Sequence, residues 1–250
     1  MAYFCIVAPI HILEQLKNRH AMGRYHLLLA HDVVEKSHAY KMAFDNIHPH
    51  PYSFVVMDNS VIELGDAVDL SMLQEACNIV RPSCVVLPDV LEQADATIDS
   101  CLDAIDSWSK ILGPLMFCPQ GTDTHSFTWC AEQLADDPRI KYWGCPRNLV
   151  RNVGSRAEAI KILHLLNPKR PIHMLGFSDD VIDDMLCAQL PGVYSIDSAV
   201  PLRCEVPFTL TLTMPARGDW WENGTVTDQT ILNLQRVREW CEPRHAYAAA

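Results

Sequence analysis

One regular alternation constrains this chain more than any other feature. Eight short apolar runs, Phe4–Ala8, His26–Ala30, Ser53–Met57, Cys84–Leu87, Pro114–Cys118, Lys141–Cys145, Ile172–Gly176 and Val193–Ile196, are separated by longer amphipathic stretches. Each run is too short for a helix and rich in branched and aromatic residues. Each is therefore expected to be a strand buried on both faces. The intervening stretches carry apolar residues three and four apart. They are Ile12, Leu13 and Leu16; Met72 to Val80 after an N-cap at Ser71; Ala94 to Trp108; Phe127 to Leu134; Ala157 to Leu166, capped by Ser155 with Glu158 completing a capping box; Asp179 to Leu190; and Asp228 to Trp240. Strands alternating with helices predict a parallel sheet with helical crossovers. Eight such units in 250 residues close most naturally into a (β/α)8 TIM barrel, a single α/β domain over residues 1-250. The alternative is an open doubly wound sheet, whose dinucleotide-binding form is weakened because no G-x-G-x-x-G turn follows an early strand.

Two segments exceed the minimal unit. Asp45 to Tyr52 is a Pro/His-rich loop, and Cys204 to Thr227 is a long insertion after the eighth strand. The insertion holds an apolar alternation from Phe208 to Met214 and then the pair Trp220-Trp221. A loop of that length inside a compact fold is usually functional.

Bulk properties narrow the partners. No stretch approaches the roughly 18 to 20 apolar residues of a membrane helix, and the first residues lack a signal-peptide pattern, so a cytoplasmic protein is expected (in the host cytoplasm if the source is viral). Ten cysteines without a C-x-x-C pair suggest buried thiols rather than a disulfide framework. A net charge of −11 argues against a broad phosphate-binding surface, though not against a local basic strip.

In a barrel the active site lies at the C-terminal strand ends. Reading past each apolar run gives Asp58-Asn59-Ser60, Pro88-Asp89, Pro119-Gln120-Gly121, Gly144-Cys145-Pro146-Arg147, His173 with Gly176, and Asp197-Ser198-Ala199-Val200-Pro201-Leu202-Arg203. Three strands thus end in Asp. Each Asp alone could be a helix cap, but three at one mouth indicate a shared site, because neighbouring carboxylates push each other's pKa values apart and so divide into nucleophile and proton carrier. Paired carboxylates suit cleavage of a glycosidic bond.

These six motifs, in this order over Ser53 to Arg203, about three-fifths of the chain, resemble the tRNA-guanine transglycosylase superfamily, whose members are TIM barrels that exchange a guanine in nucleic acid for a 7-deazaguanine base. The resemblance implies a pentosyltransferase without a cofactor. It implies that Asp197 is the nucleophile at C1′ and Asp58 the acid/base. Asp89 and Gln120 would read the base edge, with Gly121, Gly144, Gly176 and Arg203 also contacting substrate. A carboxylate can accept both N1–H and N2–H of guanine, and a carboxamide can meet O6. The sequence departs from the family in three respects. The usual Gly pair after the first Asp is Asn59-Ser60; the cysteine cluster that holds the family's structural zinc is missing, so no metal is expected; and the chain is short and acidic. Compact phage-type members that modify DNA share this economy, so DNA is favoured over tRNA as the partner. Oligomeric state is open, with a homodimer among the alternatives.

Other residues have weaker claims. Arg147, Arg151 and Arg156 are candidates for backbone phosphates. Trp220-Trp221 is a candidate lid over an extruded base. His31-Asp32 ends the second strand and could join the site; His48-Pro49-His50 is expected to be a loop feature, and His173 a core or supporting residue. Two other functions compete: a glycosidase or nucleoside hydrolase in which water resolves the Asp197 intermediate, and a non-catalytic barrel that binds a purine or nucleic acid.

Overall fold

A computed structural model describes residues 2–45, 53–107, 113–147, 153–211 and 218–242. Its eight strands are β1 (Tyr3–Val7), β2 (Tyr25–Leu29), β3 (Phe54–Asp58), β4 (Cys84–Val86), β5 (Leu115–Phe117), β6 (Ile140–Pro146), β7 (Ile172–Leu175) and β8 (Val193–Ser198). They pair in parallel, in chain order, and β8 closes on β1. The protein is a (β/α)8 barrel.

The period of two along each strand explains why the sheet closes. Outward positions such as Phe4, Ile6, Val55, Met57, Phe117, Trp143, Met174 and Ile196 join the layer packed beneath the helices. Inward positions Cys5, Val7, Leu27, Leu29, Val56, Val86, Met116 and Cys118 form a second, separate core inside the barrel. Tyr3, Tyr25, Phe54, Tyr142 and Tyr194 plug its N-terminal end. Tyr3 stacks on Tyr25 with centroids 4.3 Å apart, and Tyr194 meets Phe54 edge-on at 5.1 Å. Bulky rings at one end leave the other for polar groups. Two polar inward positions, Ser195 and Asp197, are in register with Tyr3 and Cys5 of β1, and Asp58 with Leu29 of β2.

The helices follow the amphipathic stretches, with local differences. The cap of the helix Leu70–Val80 is Asp69, whose carboxylate accepts from the Met72 N–H; Ser71 instead donates to Asp69. Ser155 does cap Arg156–Leu166, accepting from the Glu158 N–H. The crossover after β2 holds two short helices, Ala30–Glu35 and Ser37–Phe44, that spacing alone did not reveal; the second buries Tyr40, Ala43 and Phe44. In the insertion, Phe208 enters the core and Trp220–Asn223 forms one helical turn, while residues 208–211 form no strand. Most of the Pro/His-rich loop with His48 and His50, and residues 212–217, lie outside the described residues. Among the described residues no helix is long and apolar enough to cross a membrane. All ten cysteines are buried and unpaired.

Arg156 corrects the expected basic strip. Its side chain is completely buried, so it has no surface to offer a phosphate. Its guanidinium donates to Asp184 at 2.8 Å and to the carbonyls of Cys145, Leu175 and Gly176 at 2.9, 2.9 and 2.6 Å. It therefore ties the ends of β6 and β7 together. Asp184 in turn accepts from the Ser178 N–H at 2.6 Å, which fixes the loop after β7. Arg156→Ala leaves the Asp184 charge buried without its cationic partner and removes the guanidinium donor from three carbonyls. A loss of about 3–5 kcal/mol is expected in urea unfolding; a loss below about 1 kcal/mol, the level of an exposed pair, would contradict this role.

Candidate active site

The C-terminal end of the barrel holds a half-open cavity of about 290 Å³. This is near the lower bound of ligand pockets, roughly 300 Å³, so it fits one small group. Its wall includes Asp58 from β3, Asp89 after β4, Gln120 after β5, Arg147 after β6, Gly176 after β7, and Asp197 and Arg203 from β8 and the turn beyond. Val7, Leu27, Leu29 and Val86 form an apolar floor, and Trp221 of the insertion closes one side. Seven of the residues singled out at the strand ends thus converge on one space.

Asp197 is aimed by β7. Its Oδ1 accepts from the Gly176 N–H at 2.9 Å and pairs with His173 Nε2 at 3.0 Å. His173 is fully buried, and its Nδ1 lies 2.7 Å from Ser195 Oγ. An ionised carboxylate only accepts, so an imidazole proton belongs on Nε2, facing Asp197. Both contacts fall on Oδ1; among the described residues Oδ2 has no hydrogen-bond partner. Gly176 carries φ +70°, a left-handed turn that turns its N–H toward Asp197, and a Cβ there would press on the Arg147 side chain at 3.2 Å.

Asp58 faces the same space. Its Oδ2 accepts from the Ser60 N–H at 2.8 Å. Ser60 adopts φ +65°, the left-handed conformation that glycine takes more readily than serine. Burial, then the nearby Glu63, push the Asp58 carboxyl well above the usual range; the charges of Asp89 and Asp197 add to this, and the Ser60 hydrogen bond opposes it.

Asp89 is held differently. One oxygen accepts from Asn59 Nδ2 at 2.6 Å and the other from Gln120 Nε2 at 2.5 Å. Burial raises its pKa to about 6, and the two carboxamides restrain the rise. Gln120 is itself fixed, its Oε1 accepting from the Glu92 N–H. Asn59 is the cavity residue that sequence reading passed over. Its type suggested only a changed loop, and nothing local shows that it reaches the end of the next strand.

The remaining candidates divide. Arg147 is exposed at the cavity rim, while Arg151 lies outside the described residues. Gly121 packs against the backbone of Phe127, where a Cβ would come within 2.5 Å of its nitrogen, and Gly144 packs against Cys118 and Leu175; neither lines the cavity, so both act as spacers. Asp32 does not line it either. It accepts from Lys36, Tyr40 and Trp221 Nε1, the last at 3.2 Å, and so anchors the tryptophan wall. Trp220 faces a neighbouring polar groove. Among the described residues no group of three or more His, Cys, Asp or Glu is placed to hold a metal ion. No known family model matches the chain, and no curated protein matches it.

These environments predict distinct titrations. In carbon-detected NMR of the ligand-free protein, Asp89 titrates near 6 and Asp58 above the ordinary carboxylate range. The exposed caps Asp69 and Asp123, which hold their carboxylates in hydrogen bonds from backbone and serine groups, titrate below it. Asp58 and Asp89 both titrating near 4 would contradict the buried, converging arrangement.

Proposed function

We propose that the protein is a transglycosylase that exchanges guanine in nucleic acid, DNA rather than tRNA, for a 7-deazaguanine base through a covalent glycosyl-Asp197 intermediate. The observation that carries this reading is the orientation of Asp197 beside Asp58. One carboxylate is held on a single oxygen by His173 and the Gly176 N–H, and the other is driven toward its protonated form in the same small cavity. The motif order resembling the tRNA-guanine transglycosylase superfamily agrees with it.

In the first half-reaction Asp197 Oδ2 attacks C1′. The C1′–N9 pair leaves with guanine, and protonated Asp58 supplies the proton the departing base requires. In the second, Asp58, now ionised, takes a proton from the incoming base. The nitrogen of the incoming base attacks C1′, and the C1′–O bond to Asp197 breaks, which restores ionised Asp197 and protonated Asp58. Asp89 and Gln120 hold the base edge throughout. The target nucleotide has to leave the helical stack, because C1′ of a stacked residue is closed to in-line attack. The cavity accepts about one base, Trp221 offers an aromatic face at its side, and Arg147 at the rim meets the adjoining phosphate. With Arg156 withdrawn into the core and a net charge of −11, phosphate contacts are few.

The test mixes protein, DNA or tRNA labelled in guanine, and a 7-deazaguanine base. Labelled guanine is released beyond one equivalent per protein only when the base is added, and the nucleic acid gains the new base. Asp197→Ala folds but loses turnover; more than about a tenth of wild-type activity, a loss of only ~1.4 kcal/mol, would overturn the nucleophile. Guanine released over many turnovers without an added base would replace exchange by hydrolysis.

A further inference from the structure

We propose that Asn59 is the positioning residue that fixes the Asp89 carboxylate, so that the cavity selects a ligand edge with two adjacent N–H donors over an edge with one. The proposal deepens the base-exchange reading and rests on it for the nature of the ligand.

Asn59 follows Asp58 directly and borders the same cavity, yet it is completely buried. Its nitrogen donates to the Leu87 carbonyl at 2.8 Å and to Asp89 Oδ1 at 2.6 Å. Its oxygen accepts from the Val61 N–H at 3.0 Å. Exchanging the amide oxygen and nitrogen would set an acceptor against two acceptors and a donor against a donor, so this orientation is the only one the neighbours allow. Both Asn59 N–H bonds are used, and none is left for a ligand. Its effect therefore passes through Asp89.

On the other side Gln120 donates to Asp89 Oδ2 at 2.5 Å while Glu92 holds its oxygen. Asp89 is clamped by one carboxamide per oxygen, and rotation of the carboxylate would break both bonds. A carboxylate oxygen accepts about two hydrogen bonds, so each keeps one place. Asp89 lines the cavity, and its two remaining places suit two parallel donors. The N1–H and 2-amino group of guanine or a 7-deazaguanine are such a pair. Hypoxanthine offers N1–H alone and leaves one buried oxygen under-bonded, the situation by which polar sites discriminate most sharply.

The same contact affects protonation. A protonated Asp89 presents a donor to the ligand's donors, so recognition requires the ionised form. Burial pushes Asp89 up, and Asn59 is first among the groups that oppose it. Removing Asn59 therefore raises the midpoint, and binding is lost at a higher pH as the solution is acidified.

The experiment uses the full chain and free guanine and hypoxanthine as probes. Calorimetric affinities are measured from pH 5 to 8 for wild type, Asn59→Ala and Asn59→Ser, whose side chain is too short to span to Asp89. In parallel, the Asp89 carboxyl is titrated by NMR without ligand. Wild type should prefer guanine, losing it as pH falls through about 6. In a folded variant the preference for guanine over hypoxanthine should fall at least tenfold, and the Asp89 midpoint should rise. A role confined to bracing the loop moves the melting temperature but neither readout, and that result would overturn the proposal. If neither variant folds, wild type still decides it: equal affinity for the two bases, or guanine binding that does not follow the Asp89 titration, would overturn it. If wild type binds neither base, the base-exchange reading and the selectivity fail together, while the ligand-free titration of the variants separately shows whether Asn59 holds Asp89.

Discussion

The geometry of the cavity depends on a buried ion pair that never touches it. Arg156 and Asp184, both fully inaccessible, join the ends of β6 and β7 to the loop beyond. Arg156 holds the Gly176 carbonyl, and the N–H of the same residue holds Asp197. A buried pair of this kind is weak evidence of net stabilisation, because desolvation offsets the attraction. Its use here is geometric. It fixes a left-handed glycine so that a backbone donor meets one chosen carboxylate oxygen.

Around that fixed point three aspartates occupy three environments. Asp197 receives an imidazole and a backbone N–H on one oxygen; Asp89 receives a carboxamide on each; Asp58 receives a single backbone N–H and stands near Glu63. Donors favour the charged form, while burial and like charges oppose it. Equal side chains are in this way set to unequal tasks, with the least supported one best suited to carry a proton. The apolar floor and the Trp221 wall keep the dielectric low, which enlarges these differences.

Much of this was legible in the sequence because it follows from period and position. A period of two in short, two-sided apolar runs marks barrel strands, and the polar residue just past each run marks the mouth. Asp58, Asp89, Gln120 and Asp197 came from that rule alone. Relations between distant residues were not legible. Arg156 looked like a surface cation because nothing in its own helix shows that β6 and β7 end above it. Asn59 looked like a loop substitution because its partner lies 30 residues on. The short helices after β2 escaped because six and eight residues scarcely establish a period. Gly121 and Gly144 fell at the right strand ends but serve close packing, which requires a missing Cβ just as a ligand would.

Base exchange requires that Asp197 become covalently bonded to C1′ and that a base, not water, resolve the bond. The most direct measurement is denaturing electrophoresis of the protein mixed with end-labelled DNA or tRNA, followed by peptide mass analysis. Base exchange gives a band that survives denaturation, carries the sugar on the Asp197 peptide, disappears in Asp197→Ala, and is discharged by added 7-deazaguanine base. Release of guanine by the wild-type protein with no such adduct, or an adduct on any other residue, would contradict it.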